Sequence, residues 1–164
     1  MKLHFHVDNR SDEIPDSEIT ALLMEAYVGG GFTSLERAAR IFDPTAVRSR
    51  GELITARTAE NVLAGMVIVV QPGSPARRIA EPDEAEIHLL AVANKYRGLG
   101  LGRRLMSKAL ESILDLGLPR TILWTQPTMI PAHRLYESMG FVRAHGRDPV
   151  LDETHFLAYE KRNG

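Results

Sequence analysis

Apolar positions recur along this chain with two periods, close to two in some segments and close to four in others, and the switches between them predict its elements. Lys2 to Val7 alternates Leu3, Phe5 and Val7 against His4 and His6, the pattern of a half-buried strand. After the polar stretch Asp8 to Pro15, Asp16 or Ser17 is expected to cap a helix whose apolar face is Ile19, Leu22, Leu23, Ala26 and Tyr27. Gly29-Gly30-Gly31 breaks that helix. A second helical piece, capped by Thr33 or Ser34, carries Leu35, Ala38, Ala39 and Phe42 on one face and stops before Pro44. Glu52 to Thr58 and Val62 to Gln71 are apolar and β-branched, and the short link Ala59-Glu60-Asn61 makes them an antiparallel hairpin.

The stretch from Glu84 to Leu116 organises the rest. Glu86 to Val92 is apolar on both alternating sets of positions, as a central strand covered on both faces must be. From Leu99 onward Leu101, Leu105, Ala109 and Ile113 fall at helical spacing, flanked by Met106, Leu110 and Leu114. Between strand and helix, Gly98, Gly100 and Gly102 sit at alternate positions, where backbone N–H groups can approach a ligand with no Cβ in the way. Gly117 and Pro119 end the helix and Arg120 to Thr125 reads as a strand, so strand, helix and strand form a right-handed crossover with parallel strands. Pro131 opens a further helix with Ala132, Leu135, Tyr136 and Met139, closed by Gly140; Phe141 to Ala144 and His155 to Glu160 are the last strands. The order is β-α-α-β-β-β-α-β-α-β-β, and periodicity alone reaches a mixed-sheet α/β class.

Bulk properties narrow the classes. A chain of 164 residues holds one ordinary core, so residues 1–164 are read as a single domain. A formal charge of −1 gives no global case for nucleic acid, although Arg97, Arg103, Arg104 and Lys108 can form a local basic patch. No apolar run is long enough for a membrane span, and Met1 to Val7 is too short and polar for a secretory signal, so a cytoplasmic protein without a membrane partner is expected. With no cysteine, disulfides, thiolate metal sites and cysteine nucleophiles are excluded. The six histidines make no H-x-x-x-H or H-E-x-x-H helix, so no metal is expected. Neither Ser107 nor Ser138 has a His and Asp constellation for a nucleophilic triad.

A helix that begins inside a glycine turn offers unpaired N–H donors and a partial positive charge, which suits a diphosphate. No Walker loop is present, and a dinucleotide fingerprint starting at Gly98 and Gly100 would need glycine where Arg103 stands. The pattern that does fit is Arg97-x-x-Gly100-x-Gly102 after Leu90-Ala91-Val92. Here the sequence resembles the GCN5-related N-acetyltransferase superfamily, whose pyrophosphate pattern is Gln/Arg-x-x-Gly-x-Gly/Ala. Leu135-Tyr136-Glu137-Ser138-Met139-Gly140-Phe141 is similar to that family's Leu-Tyr-x-x-x-Gly-Phe segment. The likeness is good from Glu84 to Phe141 and loose in the flanks.

The resemblance implies an α/β fold with a mixed, mostly antiparallel central sheet of about six to seven strands, a central parallel βαβ pair and flanking helices. It implies acetyl-coenzyme A as acyl donor, its pyrophosphate on the backbone of Arg97, Gly98, Leu99, Gly100, Gly102 and Arg103 and its pantetheine arm along Ala91 and Val92. It further implies a small-molecule or peptide amine acceptor, with a homodimer left open, and an acceptor pocket against Tyr27 to Thr33 and Asp148 to Glu153. Asp148, Asp152 and Glu153 are expected to attract a cationic amine. The implied reaction is direct attack of the amine in a ternary complex, with Glu86 near the amine as base through a water, Tyr136 protonating the departing thiolate and the Val92 N–H steadying the carbonyl oxygen. The family often has an asparagine seven residues before that tyrosine, where this chain has Met129. A non-catalytic acyl-coenzyme A sensor of the same fold is the competing class, favoured if Glu86 is sealed from the acceptor cleft, and transfer to a hydroxyl is a weaker third.

Overall fold

In the computed structural model, which describes residues 3–164, seven strands form one twisted sheet. In chain order they are β1 (Phe5–Asp8), β2 (Glu52–Thr58), β3 (Leu63–Val70), β4 (Glu84–Val92), β5 (Arg120–Thr125), β6 (Val142–Arg143) and β9 (Leu157–Arg162), the order across the sheet being β1-β2-β3-β4-β5-β9-β6. A separate small hairpin pairs β7 (Val150–Leu151) with β8 (Thr154–His155). Only β4 and β5 run parallel; every other pair in the sheet is antiparallel. The expected mixed sheet with one parallel pair is therefore present. Lys2, placed in the first strand by its pattern, lies outside the described residues.

The sheet is covered on both faces, and each face selects its own set of apolar residues. On one side α4 (Leu101–Asp115) buries Leu101, Leu105, Met106, Ala109 and Ile113, the predicted stripe, against β3 and β4, and α5 (Ile130–Ser138) adds Tyr136. On the other, α1 (Asp16–Leu23), α2 (Leu35–Ile41) and α3 (Pro44–Ser49) bury Ile19, Leu22, Leu23, Ala38 and Val47 against Met66, Ile68 and Val70 of β3. Burying a side chain of this size contributes about 1.5–3 kcal/mol, so the two layers hold the sheet's central strands rigidly.

Local expectations were met unevenly. Ser34 caps α2, accepting from the Arg37 N–H at 3.1 Å, but neither Asp16 nor Ser17 caps α1, whose N-cap is Pro15 with no side-chain bond. Leu35 and Ala39, assigned to the apolar face of α2, are exposed, whereas Ala38 and Phe42 are buried. Pro44 does end α2, and it also starts α3: it occupies the first turn, and Asp43 caps the new helix by accepting from the Ala46 N–H at 3.1 Å. The helix α1 continues into a π-helical turn, Met24–Val28, which swings Tyr27 over the sheet to donate to the Leu90 carbonyl at 3.1 Å.

Candidate active site

The site is created by an irregularity in β4. Leu89 has φ 53°, and the register against β3 shifts between Met66 and Ile68. Ala85 and Ile87 face the α4 core, but beyond Leu89 it is Leu90 and Val92 that do so, so one extra residue has been inserted as a bulge. A bulge increases local twist, and the parallel partner cannot follow it. Pairing of β4 with β5 runs from Glu84 against Arg120 to Ile87 against Leu123 and then stops, although β4 continues to Val92 and β5 to Thr125. The backbone of β4 beyond Ile87 is therefore unpaired on its β5 side, a sheet edge opened within the sheet.

That edge leads to the glycine turn. A short 3-10 turn, Asn94–Tyr96, is followed by Gly98 at φ 77° and Gly100 at φ 80°, conformations that L side chains resist, and Gly100 is the N-cap of α4. A Cβ built on either glycine meets no atom within 4 Å, so the space a side chain would fill is open. The helix has no side-chain cap, and its first N–H groups at Leu101, Gly102 and Arg103 have no carbonyl one turn behind them. Arg97 lies beside the turn, its Nε 3.5 Å from the Val92 carbonyl, and Arg103 reaches Ser138 Oγ of α5 at 2.6 Å. Arg104 turns away to the Phe5 carbonyl and Lys108 pairs with Glu111, so only the first two of the four basic residues flank the cradle. These residues fit a pyrophosphate: open space, free amides, a helix N-terminus and two guanidiniums.

A cavity of about 830 Å³ opens from the splay toward the first two helices. Leu89, Leu90, Trp124 and Tyr136 line it at the strand ends, with Tyr27 opposite, and Met129 lies against the Thr125 hydroxyl where the family asparagine would be. Tyr136 is 6% exposed and its ring packs on Phe141 and Tyr159. Its hydroxyl has no hydrogen-bond partner among the described residues, whereas that of Tyr27 is committed to Leu90. Burial pushes the Tyr136 hydroxyl above its ordinary range, with neighbouring Tyr27 adding to the shift, so it keeps its proton at neutral pH. Ala91 is buried and Val92 half-buried, both at the unpaired edge.

Glu86 makes no direct contact with the cavity. The side chain is fully buried and does not line the cavity. Its carboxylate accepts from the backbone N–H groups of Arg78 (3.0 Å), Ile79 (2.7 Å) and Ala80 (2.8 Å), and from Nε2 of His88. Burial alone would raise its pKa, but the His88 and backbone hydrogen bonds overcome that and hold it below the usual carboxylate value. The backbone of residues 78–80 closes over it and both oxygens accept from donors, so any proton it takes from an acceptor would have to pass through His88 or a water. His88, 4% exposed, does line the cavity. Burial lowers its pKa against the pull of Glu86, and Arg50 and Arg78 lower it further; the neutral ring donates from Nε2 to Glu86 and accepts at Nδ1 from Arg50 at 3.2 Å.

Both depressed groups give the same sign of linkage. His88 and Glu86 each bind protons more weakly in the folded chain, so their stabilisation is full above the ordinary histidine value and is lost as pH falls, first toward the lowered His88 value and then through the lowered Glu86 value. Urea unfolding is expected to show stability declining below about pH 6.5 and again below about pH 4.5. Glu86→Gln is expected to cost about 1–3 kcal/mol at pH 7, because its amide NH2 cannot satisfy three converging N–H donors, and to flatten the lower limb. Unchanged stability in that variant would show that the contacts on Glu86 contribute nothing.

The expected acidic pocket is also corrected. Asp148 is bound by Arg143 and by the Ala158 N–H, its pKa lowered to about 2 chiefly by the Arg143 hydrogen bond. Asp152 pairs with Arg37 at 3.4 Å, and Glu153 sits exposed in the β7–β8 turn at φ 63°. Among the described residues Asp152 is the only carboxylate lining the cavity, against four guanidiniums, those of Arg37, Arg40, Arg50 and Arg78. Sequence reading missed all four, because they come from separate elements with no shared spacing; a count of arginines in the helical and proline-rich segments is the only trace they leave. Among the described residues no group of three or more His, Cys, Asp or Glu is placed to hold a metal, and no helix is long and apolar enough to cross a membrane.

Comparison with known proteins places this geometry. The chain is 31% identical over 118 residues to a mycothiol acetyltransferase of Pseudarthrobacter chlorophenolicus, covering 70% of this chain and 34% of that protein. It is 40% identical over 57 residues to N-alpha-acetyltransferase 30 of Xenopus laevis, covering 35% and 21%. The chain spans 20% to 34% of the length of the mycothiol acetyltransferases it matches. Among solved structures it superposes on an acetyltransferase of the GNAT family from Staphylococcus aureus with TM-score 0.75 at 16% identity, covering 99% of this chain and 100% of that one. It superposes on the ribosomal-protein-S18-alanine N-acetyltransferase from Escherichia coli with TM-score 0.68 at 18% identity, covering 98% and 95%. The model of the acetyltransferase (GNAT) family matches residues 17–141, from the first turn of α1 through Phe141 after α5, and the chain therefore belongs to that family.

Proposed function

We propose that the protein transfers an acetyl group from acetyl-coenzyme A to the amine of a small molecule by direct attack within a ternary complex. The observation that carries this reading is the opening between β4 and β5, where an unpaired strand edge meets the free Tyr136 hydroxyl at one cavity and runs on along β4 into the glycine cradle. The backbone of Gly98 to Arg103, with Arg97 and Arg103, would hold the pyrophosphate, and the edge at Ala91 and Val92 would take the pantetheine amides as an added strand. The donor supplies an acetyl thioester. The nitrogen–carbon bond forms as the carbon–sulfur bond breaks, the sulfur taking a proton from Tyr136 and the acceptor losing one to water in the open cavity, from which Tyr136 is reprotonated.

With Glu86 out of direct reach, the cavity wall itself bears on the amine's protonation. An alkylamine of pKa near 10 is about one part in a thousand neutral at pH 7. Guanidiniums that outnumber carboxylates on the cavity wall disfavour the ammonium form and raise that fraction. Positioning then supplies much of the remaining rate.

Titration calorimetry should detect acetyl-coenzyme A at micromolar to millimolar concentrations, and thiol release across an amine library should identify acceptors. No heat at millimolar donor would sink the reading. The sealed Glu86 favours one rival, a non-catalytic acyl-coenzyme A sensor; donor binding with no transfer to any amine would establish that rival, and any turnover would remove it.

A further inference from the structure

The cavity beyond the splay has a sign. Arg37, Arg40, Arg50 and Arg78 line it, and among the described residues Asp152 is the one carboxylate on the same wall. Arg37 is the one that Asp152 engages, and it is further held by the Thr154 hydroxyl at 3.3 Å. The guanidiniums of Arg40 and Arg78 have no ion pair or hydrogen-bond partner among the described residues. Arg50 is half-buried and is aimed by two contacts, to Nδ1 of His88 at 3.2 Å and to the Ile41 carbonyl at 3.1 Å. A guanidinium has five N–H donors, so three on Arg50 remain for a ligand. Burial and the charge of Arg78 both lower the Arg50 pKa, which means the two cations lie close enough to repel. A chain with formal charge −1 that gathers like charges in a cavity, at a cost in repulsion, leaves a site that an anion would relieve.

Glu86 explains how the cations are kept in place. Its carboxylate binds the Arg78, Ile79 and Ala80 N–H groups, fixing the backbone from which the Arg78 side chain departs. Through His88 it also steadies the ring that receives Arg50. One buried carboxylate thus positions two cationic walls without touching the ligand.

Resting on the acetyltransferase reading above, we propose that the acceptor is an amine that also carries an oxyanion, a carboxylate or a phosphate, gripped by Arg50 and Arg78 with Arg40 lining the same cavity. Both groups belong to one small molecule, since the arginines and Tyr136 line a single cavity of about 830 Å³, a size that suits a metabolite and not a folded partner. Planar guanidiniums hold either oxyanion through paired hydrogen bonds. Two guanidiniums still outnumber one bound carboxylate, so the amine end then keeps its bias toward the neutral form, whereas a phosphate, with nearly two negative charges, offsets that bias.

The test uses matched acceptors: glycine and β-alanine against their amides for the carboxylate arm, phosphoethanolamine against ethanolamine for the phosphate arm. The anionic member of one pair is expected to exceed its neutral counterpart in kcat/KM by about 10- to 100-fold. Arg40→Gln/Arg78→Gln, at exposed positions with no partners to lose, should erase most of that ratio through KM while leaving the acetyl-coenzyme A Kd unchanged. Arg78→Lys should restore more of it in the phosphate arm than in the carboxylate arm if phosphate is the true ligand. A second readout needs no turnover: inorganic phosphate or acetate at tens of millimolar should raise the melting temperature of wild type more than that of the double variant. If neutral acceptors turn over as well as anionic ones and neither anion shifts the melting temperature, the anion site is refuted while the acetyltransferase reading stands. If the anion shift is present and lost in the variant but no amine is acetylated, the site stands and the acetyltransferase reading falls.

Discussion

Gly100→Glu is expected to raise the Kd for acetyl-coenzyme A by at least about 10³-fold while leaving a folded chain. Gly100 has φ 80° and ψ 11°, caps α4, and has no atom within 4 Å of the position a Cβ would take. The fold therefore meets the new side chain only as backbone strain, about 1–2 kcal/mol for a left-handed L-residue. A chain of this size then loses about 2–8 °C in melting temperature. The ligand meets something different, a carboxylate standing at the N–H donors of Leu101, Gly102 and Arg103. It competes for the same amides and repels phosphate oxygens at close range, and three decades in Kd correspond to about 4.1 kcal/mol. Gly100→Ala carries the same strain without the charge and should weaken binding by less than tenfold. Circular dichroism with calorimetry on both variants separates the effects. A folded Gly100→Glu that binds the donor with wild-type affinity would move the pyrophosphate away from this turn.

The parts of this site written in neighbouring residues are the parts that could be read without coordinates. Strand, glycine turn and α4 are contiguous, and each carries its own signal: apolar positions in a row, glycines where positive φ is needed, and a 3.6 period in Leu101, Leu105, Ala109 and Ile113. The bulge at Leu89 left no trace, because β4 is buried on both faces and a one-residue slip exchanges one apolar side chain for another. Pro44 was legible as a stop and not as a start, since the same residue serves both ends and Asp43 decides between them. Glu86 was correctly singled out as a carboxylate that a core strand must account for. Its partners were not legible, because they are backbone amides of an irregular loop, whose path no periodicity encodes. The sign of the acceptor cavity was missed for a related reason: Arg37 and Arg40 come from α2, Arg50 from the link after α3 and Arg78 from the loop before β4, and only the fold brings them to one wall.

Two tyrosines face the cleft, and the hydrogen bonds already made decide which can give up a proton. Tyr27 donates to the Leu90 carbonyl at 3.1 Å, so its hydroxyl braces the bulged strand. The Tyr136 hydroxyl bonds to nothing among the described residues, lines the cavity, and is held by ring packing on Phe141 at 5.9 Å and Tyr159 at 6.1 Å. Burial raises its pKa, so it stays protonated across the working range and has a proton to give as the sulfur acquires charge. Tyr136→Phe removes one oxygen and breaks no protein hydrogen bond, and its melting temperature and acetyl-coenzyme A Kd are expected to match wild type. Its kcat should fall by about 10²–10⁴-fold, the usual value of one positioned proton transfer. A thiol of ordinary pKa near 8.5 leaves readily as thiolate in more alkaline solution, so the deficit should shrink above about pH 8.5. Tyr27→Phe should do the reverse, lowering stability by about 0.5–1.5 kcal/mol for the lost bond to Leu90, with a pH-independent change in kcat. Steady-state kinetics of both variants from pH 6 to 10, with donor affinity measured separately, decide the matter. If Tyr136→Phe turns over within threefold of wild type, the leaving thiolate takes its proton from water and Tyr136 is a packing residue at the cavity wall.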